Sequence, residues 1–316
     1  MKKMKKILLR FDATKEIGMG HAMRVQSLIE ALKNKIDIDL VICGEGEGIK
    51  KVFKNIDLYP LNALHKIHYD LAIQDIISSE IGLKNNDNPL IIIDDFGGSF
   101  NADLILNGSV LADKNLYKNY SSKTKFLCGR QYALLRTDFT QSLQEYKKIY
   151  DLTIVAGSGI KASEWVASTL HELTNFKINY KVTLIVGSQF IFPSNFQEIT
   201  KHVDFYQSLD AQILAQKLRQ SRLALVTGGM VMYEAIALGV PILVYPNVEN
   251  QFDEISFFVE NNVTENLTHI DALEDHIIKL LNDEQKCQER QNLGQKIIDG
   301  HGAKRAADII YKQFLN

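Results

Sequence analysis

The sequence predicts an α/β protein with two doubly wound domains, each built around a parallel β-sheet. Short apolar runs alternate with amphipathic stretches, and each apolar run ends in a loop rich in Gly, Asp or Ser. Strand, loop and helix repeated in this order form βαβ units. The pattern stops at one polar stretch and then starts again, and 316 residues are enough for two domains.

The first half of the chain contains the apolar runs of one sheet. They cover residues 7–11, 38–43, 69–74 and 90–93. After the first run, Val25, Leu28, Ile29 and Leu32 recur at helical spacing, which predicts a helix between the first two strands.

The second half repeats the arrangement after a polar stretch, residues 140–148, which we interpret as a linker or connecting helix. Its predicted strands are residues 152–156, 182–186, 223–226 and 241–245, and its helices include residues 162–173 and 230–238. From residue 271 onward we expect helix throughout. The domain boundary is therefore predicted near residue 145, which gives domains 1–145 and 146–316.

Composition excludes several classes of function. The formal charge of −2 gives no bulk attraction to nucleic acid or to an anionic membrane. The three cysteines form no CxxC pair, which indicates reduced thiols in a cytoplasmic protein. The apolar run 7–9 behind the basic N-terminus is too short for a signal peptide or a membrane span. We expect a monomer or weak dimer without nucleic-acid partners or stable membrane insertion.

The loop after the first strand carries the strongest candidate for catalysis. Asp12 follows the strand, Gly18 and Gly20 allow close approach of the backbone to a ligand, and His21 and Arg24 open the helix. A helix N-terminus disfavours protonated imidazole, so His21 suits a neutral base. The alternative is a histidine that packs against the loop, but its polar and glycine-rich neighbours favour a functional site.

A second candidate lies where residue 227 leads into the helix of residues 230–238. Gly228 and Gly229 precede this helix, whose free N–H groups suit a diphosphate. Glu234 lies further along the helix, where its carboxylate can accept hydrogen bonds from ribose hydroxyls. Tight packing alone is the competing explanation for the glycine pair.

Two further loops follow predicted strands of the second half. Glu249, Asn250 and Gln251 start a helix, either as a solvated N-cap or as contacts to a ligand. The turn of residues 156–159 offers amides to an anion equally well as it makes an ordinary turn.

Paired acids raise the question of a metal ion. Asp94 and Asp95 end a strand and suit acid–base chemistry, metal binding or a turn cap, and we expect a structural role for at least one. Asp37 and Asp39 spell D-x-D, but at the beginning of a strand. The sequence has no cluster with metal-ligand spacing and no GxxxxGK[ST] motif, so we predict neither a metal nor a P-loop.

Taken together, these segments resemble the UDP-sugar hydrolases of pseudaminic acid biosynthesis, which act on a 2,4-diacetamido-2,4,6-trideoxy-altropyranose and include spore-coat polysaccharide proteins. The segment DATKEIGMGHAMR (12–24) and the segment CGRQYALLRTDF (128–139) carry most of the resemblance. Further matching stretches are residues 90–107, 228–241, 249–251 and 299–303. The Gly-Gly...Glu element is shared with GT-B glycosyltransferases, so it does not distinguish the two.

The resemblance implies a GT-B-like fold, with two Rossmann-type domains and an interdomain cleft. It implies release of UDP from a UDP-sugar, with inversion and without metal or cofactor. His21 corresponds to the general base of the family, Asn250 to its asparagine in the ENQ segment, and Asp12 is expected to orient His21 or a sugar hydroxyl. Substrate contacts are expected from Gly20, Arg24, Asp95, Gly228, Gly229, Glu234, Glu249 and Gln251.

One departure from the family leaves alternatives open. Where the family has Gly-Gly-(Ser/Ala)-Asp, residues 156–161 are Ala-Gly-Ser-Gly-Ile-Lys, so the usual acid is missing. A GT-B glycosyltransferase with an acceptor other than water fits this change. Lys50, Lys51 and Lys54 could then supply a basic patch beside apolar residues, but we favour the interpretation that they are solvated lysines on a helix. A non-catalytic nucleotide-sugar sensor fits less well, because a sensor needs no base at His21.

Overall fold

The structure is a computed structural model of the chain. It describes residues 4–14, 17–54, 56–60, 62–63, 67–75, 88–140, 146–157, 160–176, 180–188, 190–194, 196–200, 203–246 and 249–316, and of residues 160, 161, 198, 199 and 250 the backbone alone.

The described elements alternate as the sequence predicts. The strands are β1 (Lys5–Phe11), β2 (Ile38–Cys43), β3 (Leu58–Tyr59), β4 (Leu71–Asp75), β5 (Leu90–Ile93), β6 (Gly98–Ser99), β7 (Leu104–Asn107), β8 (Tyr117–Lys118), β9 (Lys125–Cys128), β10 (Tyr150–Ala156), β11 (Val182–Val186), β12 (Val203–Gln207), β13 (Ser221–Thr227), β14 (Ile242–Tyr245) and β15 (Thr264–Asn266). The α-helices are α1 (Gly20–Lys33), α2 (Gly48–Val52), α3 (Ile160–Thr174), α4 (Phe196–Ile199), α5 (Ala211–Arg219), α6 (Met230–Ala237), α7 (Phe252–Glu260), α8 (Leu273–Leu281), α9 (Glu284–Ile297) and α10 (Gly302–Ile310).

The chain forms two compact units. Unit 1 comprises Met1–Arg136 together with His301–Asn316, and unit 2 comprises Thr137–Gly300. Among the described residues, unit 1 contains a seven-stranded sheet in the order β3-β2-β1-β4-β5-β7-β9 and a small β6–β8 pair. All neighbouring strands of the large sheet are parallel.

The central strands of the sheet of unit 1 are buried on both faces, which explains why apolar residues dominate them. Ile7, Leu9 and Phe11 of β1 pack on one side with the buried faces of α1 and α10. Leu8 packs on the opposite side, in a cluster that includes Tyr69 and residues of β5. The alternation follows from the two-residue period of a strand.

The predicted domains 1–145 and 146–316 differ from the two units of the structure at the end of the chain. Helix α10 belongs to unit 1, where Ala303, Ala306 and Ala307 lie fully or almost fully buried against α1. A side chain at Gly302 would meet the carbonyl oxygen of Ala133, so only glycine permits this docking. The predicted continuous helix from residue 271 is likewise interrupted, because α8, α9 and α10 are separate elements.

Unit 2 has the same design. In the described part of this unit the sheet has six strands in the order β12-β11-β10-β13-β14-β15, again parallel throughout. Trp165 of α3 and Leu273 of α8 pack in a core cluster with Leu152 of β10. In both units the chain adds strands to one side of the first strand and then switches to its other side, which is the doubly wound arrangement that the sequence predicted.

Candidate functional site

The strongest candidate site lies at the topological switch point of unit 1. The chain leaves β1 toward β2 on one side and returns with β4 on the other, and Phe11 pairs with Asp75 at the carboxyl ends of β1 and β4. Ligands of open parallel sheets bind outside this point. His21, in the first turn of α1, comes from the loop that follows β1.

His21 is held by a carboxylate that the sequence analysis missed. The imidazole Nδ1 lies 2.6 Å from Oδ1 of Asp75. The Asp75 side chain is fully buried, whereas 13% of the His21 side chain is exposed to solvent. A buried carboxylate behind a partly exposed imidazole is the arrangement that orients a general base.

Arg24 donates two hydrogen bonds to the same carboxylate. Its Nε lies 2.5 Å from Oδ2 of Asp75 and its Nη2 lies 2.5 Å from Oδ1. Burial alone would raise the pKa of Asp75, but the charge and hydrogen bonds of Arg24, with the bond to His21, hold the pKa below its usual value. Arg24, predicted to contact substrate, therefore binds acids of its own chain.

The two acids after β5 have different surroundings. Asp95 accepts from Nη1 of Arg24 at 2.6 Å, and 39% of its side chain is exposed. Asp94 instead caps the turn, where Oδ2 accepts the N–H groups of Phe96 at 3.1 Å and Gly97 at 2.6 Å. Burial outweighs these bonds and raises the pKa of Asp94. The expectation of a structural role for one of the pair is met by Asp94.

Asp12 does not hold His21 in this structure. Its two carboxylate oxygens pair with Nη1 and Nη2 of Arg10, at 2.6 and 3.0 Å, and Oδ1 also accepts the N–H of Glu45 at 2.8 Å. Asp12 thus ties the end of β1 to the loop after β2, and the carboxylate that contacts His21 is that of Asp75. At Gly20, an added Cβ would find no heavy atom within 4 Å, so its backbone is open to a ligand.

Unit 2 presents the glycine pair at its own switch point, between β10 and β13. Gly229 caps α6 with a φ of 91°, a conformation that favours glycine. A Cβ at Gly228 would lie 2.8 Å from Cβ of Gln251, whose Nε2 donates to the Gly228 carbonyl at 3.0 Å. The predicted GG and ENQ segments are therefore in direct contact, with Gln251 packed over the glycine pair.

The remaining predicted residues are located as follows. Glu234 is on α6 and is 2% exposed, and Glu249 is exposed at the start of a short 3-10 helix that leads into α7. Asn250 lies in the same 3-10 helix, but its side chain is outside the described residues. Residues 158 and 159 of the 156–159 turn also lie outside the described residues.

The described residues offer neither a metal cluster nor a membrane-spanning helix. Within the described residues, no group of three or more His, Cys, Asp or Glu side chains has the spacing to hold a metal ion. Oδ2 of Asp39, from the D-x-D pair at the amino end of β2, lies 3.3 Å from Nζ of Lys6.

No described helix has the length and apolar character needed to span a membrane. Near Lys50, the apolar neighbours Ile49 and Phe53 are buried and Val52 is partly buried, so the segment offers lysines with little exposed apolar surface.

The signal that would have found Asp75 is present in the sequence. An aspartate directly follows the apolar run 71–73 and a glutamine, at the carboxyl end of the strand next to β1. Its distance of 54 residues from His21 hides the pairing, because only the strand order brings the two ends together.

Sequence comparisons show distant similarity to proteins of sugar metabolism. The profile of the family described as Glycosyl transferases group 1 matches residues 178–298. The UDP-2,4-diacetamido-2,4,6-trideoxy-beta-L-altropyranose hydrolase of Campylobacter jejuni is 25% identical over 78% of this chain and 93% of its own length. Spore coat polysaccharide biosynthesis protein SpsG of Bacillus subtilis is 22% identical over 95% of this chain and 96% of its own. An uncharacterized protein of Methanocaldococcus jannaschii, MJ1062, is 26% identical over 76% of this chain, which spans only 55% of that protein.

Solved structures establish the fold. The glycotransferase of kitacinnamycin has a TM-score of 0.66 at 13% identity and covers 99% of this chain and 100% of its own. The Staphylococcus aureus MnaA–UDP structure has a TM-score of 0.63 at 14% identity, with 99% and 98% of the two chains covered. The chain has the GT-B fold, with two parallel-sheet Rossmann-like domains, as the sequence predicted.

Proposed function

We propose that this chain is an enzyme that hydrolyses a UDP-linked diacetamido-trideoxy sugar at the anomeric carbon, with inversion and without a metal ion. The observation that carries the proposal is the partly exposed imidazole of His21 on the buried carboxylate of Asp75, 2.6 Å away at the switch point of unit 1. The similarity to the C. jejuni hydrolase, over 78% of this chain, supports the choice of substrate.

The chemistry assigned to unit 1 is general-base catalysis. Nε2 of His21 takes a proton from water while the water oxygen forms a bond to C1 of the sugar on the face opposite the nucleotide. The bond from C1 to the diphosphate oxygen breaks, and UDP leaves with that electron pair. General-base assistance of this kind contributes about 10²–10⁴-fold to a rate. Asp12 and Asp95 are proposed as polar groups for sugar hydroxyls, and Gly20 as an open backbone position.

We assign the nucleotide to unit 2. The diphosphate is proposed to bind the N–H groups at Gly228, Gly229 and the start of α6, where the helix dipole favours the charge that develops on the leaving group. Glu234 is proposed to accept from the ribose hydroxyls. Glu249, Asn250 and Gln251 are proposed to contact the sugar or phosphates, and the contact of Gln251 with Gly228 supports a shared role for the two segments.

A second function is favoured by a specific observation. The glycosyl transferases group 1 profile matches most of unit 2, residues 178–298. In a transferase, His21 would deprotonate an acceptor hydroxyl instead of water, and the nucleotide contacts would stay the same. An acceptor requirement therefore distinguishes the two functions.

The deciding experiment is phosphorus and proton NMR of the purified protein with UDP-2,4-diacetamido-2,4,6-trideoxy-β-L-altropyranose, with a chelator and without acceptor. Release of UDP and of the free sugar in the inverted anomeric form supports the hydrolase. Binding without release over the same period contradicts hydrolysis and supports the transferase.

His21→Gln is the variant that tests the base. We expect turnover to fall by about 10³-fold or more, while the affinity for UDP measured by calorimetry stays within about twofold, since a general base acts in the transition state. His171→Gln, on an exposed position of α3, is the matched control and should retain full activity. Retained turnover with lost UDP binding would refute the assignment.

A further inference from the structure

We propose that Asp75 is the positioning residue of His21: it fixes the proton of the neutral imidazole on Nδ1 and leaves Nε2 as the proton acceptor, while Arg24 and Asp95 supply the charge environment that this role requires. The catalytic part of this inference rests on the proposed function of His21. The structural part, the position of the proton, does not.

The tautomer follows from which groups can donate. An ionised carboxylate only accepts hydrogen bonds, so Nδ1 of His21, 2.6 Å from Oδ1 of Asp75, must carry the proton. Nη2 of Arg24 also lies 3.2 Å from Nδ1, but one of its two N–H groups donates to Oδ1 of Asp75 at 2.5 Å. An unprotonated Nδ1 that accepted from the other N–H group would place its lone pair 2.6 Å from the ionised Oδ1 of Asp75, which is repulsive. A neutral imidazole has one N–H, so Nε2 keeps its lone pair.

Arg24 is what keeps Asp75 ionised. A carboxylate without solvent access takes up a proton unless a cation faces it. The two-pronged contact from Nε and Nη2 supplies that cation, and it lowers the pKa of Asp75 despite burial. The bidentate geometry needs a planar guanidinium, which a lysine does not offer.

Asp95 completes the charge balance. Asp75 and Arg24 alone form a neutral pair, which offers no net counter-charge to a protonated His21. The carboxylate of Asp95, 2.6 Å from Nη1 of Arg24, gives the set a net charge of −1. When His21 takes a proton from the attacking water, the set of His21, Asp75, Arg24 and Asp95 becomes neutral. The other charged side chains that β1 brings to this edge are Arg10 and Asp12, which neutralise each other at 2.6 Å.

The first test needs no activity and no variant of Asp75. Nitrogen-15 NMR of the histidine-labelled wild-type chain, at a pH where the imidazole is neutral, reports which ring nitrogen carries the proton. The signals of His21 are assigned as those that disappear in His21→Gln. We expect a protonated Nδ1 and an unprotonated Nε2. A protonated Nε2 would overturn the proposal, whether or not the chain hydrolyses a UDP-sugar.

The second test is Asp75→Asn, whose amide can donate to Nδ1 and so favour the opposite tautomer. We expect kcat to fall by up to about 10⁴-fold with KM nearly unchanged, the loss seen when the acid of a catalytic triad is replaced by its amide. The NMR signals of His21 should move to the other tautomer. An unchanged tautomer with wild-type kcat would refute the role of Asp75.

Asp70→Asn is the matched control, because Asp70 directly precedes β4 at its opposite end and accepts the N–H of Lys6 at 2.8 Å. It should leave both kcat and tautomer unchanged. Asp95→Asn tests the charge balance separately: we expect the Nδ1 proton to stay and kcat to fall, because the protonated His21 formed during the reaction loses a counter-charge. A kcat equal to that of the wild type would exclude Asp95 from the set.

Discussion

Replacing Arg24 by methionine leaves the buried carboxylate of Asp75 without its cation. The wild-type guanidinium contacts Asp75 through two nitrogens, each 2.5 Å from a carboxylate oxygen that has no solvent access. Removing one partner of a buried ion pair costs about 3–5 kcal/mol because the other charge remains. Asp95, the second acid on Arg24, is 39% exposed and regains solvent, so the loss should come almost entirely from Asp75.

The pH dependence of this loss has a definite sign. In the wild type, the lowered pKa of Asp75 contributes stability that is present above the unfolded value of about 3.9 and is lost as the pH falls through the folded pKa. Without Arg24, burial raises the folded pKa above the unfolded one. The variant therefore loses about 1.4 kcal/mol per pH unit above about pH 4, until the folded pKa is reached.

Hydrogen exchange of peptides from α1 and β4, followed by mass spectrometry in increasing urea, measures the stability of unit 1 at each pH. Arg24→Met should lose about 3–5 kcal/mol at pH 7 and clearly less at pH 4.5. The double variant with Asp75→Asn should regain much of the loss, since it removes the unpaired charge. Arg222→Met, in an exposed pair with Asp151 at 3.1 Å, is the matched control and should cost below about 1 kcal/mol. A loss for Arg24→Met that is equal at both pH values would refute the reasoning.

Three further predictions concern other parts of the chain. Gly228→Ala places a Cβ 2.8 Å from the Gln251 side chain, so we expect the UDP dissociation constant measured by calorimetry to rise about tenfold or more, equivalent to about 1.4 kcal/mol; an unchanged constant would refute the nucleotide assignment. Ala306→Leu overfills the fully buried face of α10 and should cost unit 1 about 1–3 kcal/mol by hydrogen exchange, with no loss expected if α10 does not pack there. Arg290 and other cations hold the pKa of Glu265 below its usual range, although burial acts in the opposite direction. Glu265 should therefore stabilise the chain above about pH 4.3 and lose this effect in acid, so the loss of unfolding free energy in Glu265→Gln, measured with urea, should shrink below that pH.

The sequence was most informative where a strand is buried on both faces. Residues 38–43, 90–93 and 182–186 were predicted with the bounds that the structure has, because apolar residues dominate each of them. Two edge strands were missed: β3 has two residues and β15 three, and both carry polar or exposed side chains. Their pairing is set by the neighbouring strand, which no local pattern reports. The buried strand β7 was missed as well.

The prediction that α10 belongs to the second domain was wrong for a similar reason. The apolar period of α10 predicts a helix but not the surface on which it packs. That choice depends on a tertiary contact, the close approach of Gly302 to Ala133, which lies in the first half of the chain. The same limit applies to the site: His21 was predicted from its local glycines, whereas Asp75 was missed because strand order alone connects it to His21.

The contacts of Arg24 with Asp75 and Asp95 limit which groups can bind a phosphate. Arginine near a glycine-rich loop is a natural candidate for binding a diphosphate, but the donors of Arg24 face Asp75 and Asp95. Arg10, from the strand before that loop, is 3% exposed and pairs with Asp12. With these two cations neutralised inside unit 1, the proposed recognition of the diphosphate depends on backbone N–H groups and the dipole of α6. Such recognition requires no excess of basic residues, in agreement with a chain whose formal charge is −2.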